Sequence, residues 1–366
     1  MTLFRFRIAL AAASWRMTAE VTCGMLGRSS IRSEYSNRVS RIEFKIMQNY
    51  KLIKLNDIGR YSDVLDSDIE LHQLQKGQIS IKERSFNAGN KISLFEKYVD
   101  KRVAITKDIC FDKLRFGFSR YPEITSGFEI NPGSLIYYKP GRNYPSVLSD
   151  KFYSFDINID EEFFKFYNPQ LYEAINNYSN NSICIDAVNL VMPNIKTLRQ
   201  ALFVAKNDEE FFEIGAFQEF VMSKIEEIYS EYLGKEFSGT IKIDNKLKNW
   251  DVFINMCEFI KSNPSDFSIE RLAKDFSLSS RTVLNIFKKF SGVSPSQFIM
   301  AYRICLARTH LLNERRFEDP VTRAAVEADF FHLGRFSHYY YSFFGENPSD
   351  TVFRLQKERE FIGNGK

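Results

Sequence analysis

The sequence predicts an α+β protein. A β-rich N-terminal domain, a small barrel or sandwich-like sensor domain with helices of its own, precedes an all-α C-terminal domain of two helix-turn-helix units joined by a linker helix. Three observations predict it. Short alternating apolar runs broken by turn residues fill 58–159, the pattern of strands. Apolar residues recur at helical spacing over 196–233. From Trp250 onward, caps and periodicity lay out seven short helices. A chain of 366 residues is long enough for two domains, each burying its own core.

The first 45 residues stand apart. They are rich in Arg and Ser, nearly free of acids, and hold one short apolar stretch at 8–15. Arg16 follows that stretch without a small-residue cleavage site, which disfavours secretion. Organellar transit peptides share this composition. The favoured reading is a disordered leader over 1–46, with Met47 opening the ordered part.

Within the strand region, Ile69-Glu70-Leu71, Gln78-Ile79-Ser80-Ile81, Leu114-Arg115-Phe116-Gly117-Phe118 and Ser134-Leu135-Ile136-Tyr137-Tyr138 carry the apolar runs. Between them stand Lys76-Gly77, Asn87-Ala88-Gly89-Asn90, Asn131-Pro132-Gly133 and Lys139-Pro140-Gly141-Arg142. These are turn residues, because Gly accepts positive φ and Pro presets φ. Phe116, Phe118, Tyr121, Tyr137, Tyr138 and Tyr144 cluster here. Core packing is the favoured reading of that cluster over a pocket for a small apolar molecule.

After Asp160 the character changes. Ile214, Phe217, Val221, Ile225, Ile228 and Tyr232 form one helical stripe, which fits either the domain's own core or a dimer seam. Residues 235–249, with Ser238, Gly239 and several lysines, lack periodicity and read as a linker. The expected layout is therefore a sensor or dimerisation domain over 47–234, the helical domain over 250–357, and a tail over 358–366.

The helical domain opens with a helix bearing Phe253, Met256, Cys257 and Ile260 on one face, stopped at Asn263-Pro264. Ser268 caps a second helix with Leu272, Ala273 and Phe276. Ser279 caps a third, with Val283, Ile286, Phe287 and Phe290 inward and Gly292 as its left-handed end. Ser294-Pro295 starts a longer fourth helix with Ile304, Ala307 and Leu311 on one stripe. Asp319-Pro320 opens a fifth, a sixth runs from about Leu333 to Phe344 and is ended by Gly345, and Asn347-Pro348 begins a seventh with Val352 and Leu355 inward. The pattern of helix, tight turn and helix occurs twice.

The segment 250–357 resembles the DNA-binding domain of the AraC/XylS family of bacterial transcriptional regulators. The likeness is carried by Leu272-Ala273, Ser279-Ser280-Arg281-Thr282-Val283, Phe287-Lys288, Gly292-Val293-Ser294-Pro295, Arg303-Ile304 and Ala307. In the second half it is carried by Phe330, His332-Leu333-Gly334-Arg335-Phe336-Ser337, Phe344-Gly345 and Asn347-Pro348-Ser349. The resemblance implies sequence-specific binding of double-stranded promoter DNA, and the widely spaced cysteines suit a reducing cytoplasm. It also implies contact with RNA polymerase, and control by an N-terminal domain that binds a small effector or forms a homodimer.

Simple geometry agrees with that implication. A fourth helix of about 18 residues spans ~27 Å. Successive major grooves on one face of B-DNA lie about 34 Å apart, so one chain can place two helices in adjacent grooves. The outward positions of the third helix are Ser280, Arg281, Thr282, Leu284, Asn285, Lys288 and Lys289. Arg281 and Asn285 share a face at i and i+4, and Arg with guanine or Asn with adenine are favoured bidentate pairs. Lys288 and Lys289 suit phosphate. In the sixth helix the candidates are Leu333, Gly334, Arg335, Ser337 and His338, with Arg335 and His338 the hydrogen-bonding pair. This half departs from the family pattern, with Asp329 in place of Gly and Tyr339-Tyr340-Tyr341 where basic residues are common. The Asp329 charge is expected to repel phosphate, leaving the second unit a weaker, mainly positioning contact.

Other classes find little support. The net charge of +4 divides into roughly +5 over 1–45, −5 over 46–245 and +4 over 246–366. No apolar run approaches the ~20 residues of a membrane span. Five cysteines lie far apart with no C-x-x-C pair, and the four histidines make no metal-ligand spacing. No P-loop, nucleophile elbow or dinucleotide fingerprint appears, so neither an enzyme nor a cofactor or metal is expected. Two alternatives stay open beside the regulator: a nucleic-acid maintenance enzyme that uses this domain for targeting, and a nonspecific architectural binder.

Overall fold

The computed structural model describes residues 43–46, 50–57, 70–107, 113–141, 143–177, 182–185, 188–207, 214–236, 247–262, 267–313 and 318–363. Most of the expected leader and most of the expected linker lie outside them.

Twelve strands occupy the first part of the described chain: β1 (Glu43–Ile46), β2 (Tyr50–Leu55), β3 (Glu70–Gln73), β4 (Ile81–Ala88), β5 (Ile92–Val99), β6 (Val103–Lys107), β7 (Leu114–Ser119), β8 (Glu123–Thr125), β9 (Phe128–Ile130), β10 (Leu135–Tyr138), β11 (Ser146–Leu148) and β12 (Phe152–Ile159). A thirteenth, β13 (Ser182–Ile185), follows two helices, α1 (Glu161–Tyr167) and α2 (Pro169–Asn177). All pairings are antiparallel, in an eight-stranded sheet ordered β1-β2-β4-β5-β12-β7-β10-β13 and a five-stranded sheet ordered β3-β6-β11-β8-β9. Alternation drives the register. Along β4, Ile81, Glu83 and Ser85 turn inward while Lys82 and Arg84 face water.

The large sheet is covered by α3 (Val188–Asn207) and α4 (Ile214–Glu236). Phe217, Val221, Ile225 and Ile228 of α4 are fully buried, and Phe217 stacks edge-on against Phe86 at 5.2 Å. The described part of the helical stripe is thus intramolecular core, apart from Ile214 at its start, which is 36% exposed; the Tyr232 side chain lies outside the described residues. The aromatic cluster is core as well, with Phe116, Phe118, Tyr137, Tyr138 and Tyr144 all buried. Tyr121 is only half-buried.

Three boundaries differ from expectation. β1 pairs with β2 four residues inside the expected leader, where Glu43-Phe44-Lys45-Ile46 alternates as a strand should. β13 lies beyond the expected end of the strand region at 159 and pairs with β10, a long-range partner that local periodicity does not reveal. The last helix continues to Gly363 rather than ending at 357.

The C-terminal helices are α5 (Trp250–Ser262), α6 (Ile269–Asp275), α7 (Ser280–Ser291), α8 (Pro295–Asn313), α9 (Pro320–Glu327), α10 (Leu333–Phe344) and α11 (Pro348–Gly363). Their ends follow local chemistry. The Arg271 N–H donates to Ser268 Oγ at 3.0 Å and the Thr282 N–H to Ser279 Oγ at 3.1 Å, caps worth about 1 kcal/mol each. Ser294 and Gln297 cap α8 reciprocally, at 2.9 and 3.2 Å. Gly292 and Gly345 close α7 and α10 in the left-handed conformation, at φ 74° and 77°.

These helices do not stand alone. Their core continues into the small sheet through Val103, Ala104, Val147 and Leu148. Trp250 lies on Gly127 of the β8–β9 turn, and the Leu247 N–H donates to the Gly127 carbonyl at 2.7 Å.

Candidate nucleic-acid interface

Helix α7 is held by its apolar face. Val283, Ile286, Phe287 and Phe290 are buried, each contributing about 1.5–3 kcal/mol of apolar burial. Phe287 meets Phe253 at 5.3 Å and Phe298 at 5.5 Å, both edge-on. The opposite face is presented to solvent: Arg281, Leu284, Asn285, Lys288 and Lys289 are exposed, and Ser280 and Thr282 are half-buried. The Thr282 hydroxyl is already engaged by Ser279 Oγ at 2.9 Å, so it belongs to the cap. Leu284 is 39% exposed, an apolar residue in the middle of a polar face.

Helix α10 repeats the scheme. Phe336, Tyr340, Phe343 and Phe344 are buried, while Leu333, Gly334, Arg335 and His338 are exposed and Ser337 is half-buried. The tyrosine run divides. Tyr339 and Tyr341 face solvent, but Tyr340 is core, with its hydroxyl accepting from Arg308 Nη1 at 2.9 Å and lying 2.9 Å from Thr351 Oγ1. Only two of the three tyrosines are therefore at the surface.

Asp329 holds φ at 59°, the left-handed turn position where the family pattern has Gly. Its carboxylate lies 3.9 Å from Arg303 Nη2. A cation thus stands beside the carboxylate that the sequence led one to expect would repel phosphate. His310 meets Glu327 at 2.7 Å, and His332 sits at the α10 N-cap without a side-chain cap bond. Among the described residues no group of three His, Cys, Asp or Glu side chains is arranged to hold a metal ion.

What sequence reasoning missed is the junction beneath these helices. Arg308 of α8 donates to both oxygens of Asp57, at 2.9 and 2.7 Å, and its Nη2 lies 2.8 Å from Glu346. Burial disfavours the Arg308 charge, yet Tyr340, Asp57 and Glu346 outweigh it and raise its pKa. Nearby, Lys261 Nζ donates to Glu70 at 2.6 Å, the Cys305 thiol faces the Gln73 carbonyl at 3.8 Å, and His72 stacks edge-on against Tyr302 at 5.0 Å. Burial, then the Lys261 charge, pushes His72 down to about 4. An Arg beside Ala307 on the apolar stripe of α8 was the one local hint of a buried ion pair; its partner lies 251 residues away in sequence.

Known proteins match the helical part. A family model described as a helix-turn-helix domain matches residues 272–354. The XylDLEGF operon transcriptional activator of Pseudomonas putida is 36% identical over 107 residues, 29% of this chain and 33% of that protein. A second activator of that operon from the same organism is 30% identical over 138 residues, 36% of this chain and 42% of its own. The chain thus spans about a third of the length of the first of these relatives. Among solved structures, a probable AraC family transcriptional regulator from Rhodopseudomonas palustris is 33% identical, covering 27% of this chain and 93% of that one at a TM-score of 0.25. The AraC-like transcriptional activator CuxR is 13% identical over 62% of this chain and 80% of its own, at a TM-score of 0.33. Over its C-terminal part the chain thus carries a helix-turn-helix domain and is similar to transcriptional activators of the XylDLEGF operon.

Proposed function

We propose that this protein is a promoter-binding regulator that lays α7 and α10 into adjacent major grooves and acts with RNA polymerase in the cytoplasm. The observation that carries the reading is the matched pair of solvent-facing polar surfaces, each on a helix whose opposite face is locked into the core. Arg281 and Asn285 read bases, and Lys288 and Lys289 hold phosphate. Leu284 and Leu333 meet thymine methyl groups, since an exposed leucine on such a face has no other apolar partner in a groove. Ser280, Thr282, Gly334 and Ser337 let the backbone approach closely, while Arg335 and His338 supply the second unit's polar contacts.

The reading also assigns control to the N-terminal part, as an effector-binding or homodimerising domain. A cavity of about 590 Å³ beside the Asp57–Arg308 pair is lined from both sides of the junction, by Asn56, Gln73 and Gln78 on one and Tyr341, Phe344 and Glu346 on the other. A small molecule there would touch both parts at once. A maintenance enzyme that accepts groups on cysteine is less well served. Cys257 and Cys305 are buried, and burial pushes the Cys305 thiol up to about 12, far from the thiolate such chemistry needs.

The test is selection of bound sequences from a random DNA pool by the full chain, repeated with Arg281→Ala. A defined motif that loses base preference at one position in the variant supports the reading. No motif, or an unchanged one, overturns it.

A further inference from the structure

The two recognition helices end alike, and the N-terminal part touches both ends. At α10, the Phe343 carbonyl in the last turn accepts the Gly77 N–H at 2.7 Å, and Lys76 Nζ donates to Ser342 Oγ at 2.9 Å. At α7, the Arg102 guanidinium fills the space beside Gly292 that a side chain would need. A helix C-terminus carries unsatisfied carbonyls and a partial negative charge, so a backbone N–H and a cation are its natural complements.

The two gripping points form one unit. Gly77 lies just after β3 and Arg102 just before β6, and these strands are neighbours in the small sheet. Their ends are tied together: the Leu74 N–H donates to the Arg102 carbonyl at 2.9 Å, and the Arg102 N–H to Gln75 Oε1 at 3.3 Å. Gln73 Nε2 further donates to the Gly77 carbonyl at 2.6 Å, closing the turn. One hydrogen-bonded end of the small sheet therefore holds the C-terminal ends of both recognition helices.

This gives the helices a second connection. α8 joins the two units as a strut of 19 residues, about 28 Å at helical rise. A single strut sets a distance but leaves each unit free to swing about its own junction. A second tie, made at equivalent points, fixes their relative direction.

We propose that Arg102 and the Lys76-Gly77 turn are positioning residues for DNA reading: they fix the two recognition helices relative to one another, so the β3–β6 end of the N-terminal domain sets the half-site spacing the protein accepts. The proposal rests on the two-groove reading given above. The N-terminal domain then acts as part of the ruler with which the protein measures its site.

The experiment uses the full chain and a DNA ladder built from the selected site, with zero, one or two base pairs added or removed between the half-sites. One base pair turns the second half-site by about 34° and moves it ~3.4 Å, so the wild type is expected to prefer one spacing by roughly tenfold, falling to about threefold or less in the Lys76→Ala, Arg102→Ala double variant. Binding to the first half-site alone is expected to stay within about twofold, because α7's outward face is untouched. Asp150→Ala removes the 3.6 Å ion pair of Arg102 without removing the guanidinium, and is expected to keep the wild-type spacing preference. Arg102→Lys, which keeps the cation, is expected to restore most of it.

A double variant that retains the wild-type preference overturns the proposal. So does one that loses the isolated half-site in equal measure, since that is the signature of general structural damage. A wild type that binds no sequence above random DNA instead sinks the two-groove reading, and the positioning role with it.

Discussion

Arg308 and Asp57 form a bidentate ion pair, with Nε to Oδ1 at 2.9 Å and Nη2 to Oδ2 at 2.7 Å, buried where the strut helix α8 meets the β-rich part. Their side chains are 5% and 1% exposed, so neither charge has water to fall back on. Arg308→Ala is expected to cost about 3–5 kcal/mol, because it removes the guanidinium that pairs with both oxygens of the buried Asp57 carboxylate. Asp57→Asn is expected to cost less, since Arg308 keeps Glu346 at 2.8 Å and the Tyr340 hydroxyl. Urea unfolding of the two variants measures the difference. Equal losses would show that Glu346 and the Tyr340 hydroxyl do not hold the arginine once Asp57 is neutralised.

The same junction should be sensitive to acid. His72 is shifted from 6.5 to about 4, first by burial and then by Lys261, against an opposing pull from Glu70. The folded state therefore resists the proton that the unfolded chain accepts. The sign follows: this contribution to stability is fully present above about 6.5 and is lost as pH falls from there toward about 4. His72→Gln keeps a neutral polar side chain at the site. It is expected to flatten the fall of the unfolding midpoint between pH 6.5 and 5.5, before most carboxylates titrate. A variant whose midpoint falls as steeply as the wild type's would remove His72 from the acid response.

The proposed DNA face yields a paired prediction that separates reading from holding. Arg281→Ala is expected to cost about 1–3 kcal/mol at sites with the preferred base and to relax the preference there. Lys289→Ala is expected to weaken all sequences alike and to lower the salt dependence of log K by about 0.9. Both side chains are exposed, so neither change should alter folding. Titrations of full-length protein at several salt concentrations distinguish them. Interchanged signatures would reverse the roles of Arg281 and Lys289.

How far these features could be read in advance depended on their range. Ser268, Ser279, Gly292 and Gly345 mark helix ends through contacts a few residues away, and each acts where local chemistry predicts. The inward faces of α7 and α8 follow from spacing alone, because Val283, Phe287, Ile304 and Leu311 repeat with the helix. β13 and the Arg308–Asp57 pair were not legible, since each depends on partners far along the chain. Asp329 was half legible. Its left-handed backbone followed from residue type, but the neighbouring Arg303 comes from packing α8 against the second unit. The roles of Arg281 and Asn285 rest on chemistry and exposure together, because a solvent-facing arginine on any helix looks the same until a neighbouring face is shown to be buried.

Gly127 offers a last test, of whether the β8–β9 turn truly seats the start of the helical domain. Its φ is +86°, and a Cβ there would lie 2.6 Å from Trp250 Cγ and Cδ1 and 2.9 Å from Trp250 Cβ. The indole is 2% exposed and packed edge-on against Phe290 at 5.2 Å, so it can yield only by giving up that packing and moving outward. Gly127→Ala is therefore strained twice over, by backbone conformation and by overlap, and is expected to cost about 1–3 kcal/mol. The displaced indole meets water, so the tryptophan emission of the variant should shift to the red under native conditions. Trp15, the other tryptophan in the chain, is removed in both proteins by Trp15→Phe to leave one reporter. Emission and unfolding midpoint both matching the parent would mean that the Trp250–Gly127 contact does not anchor the helical domain to the small sheet.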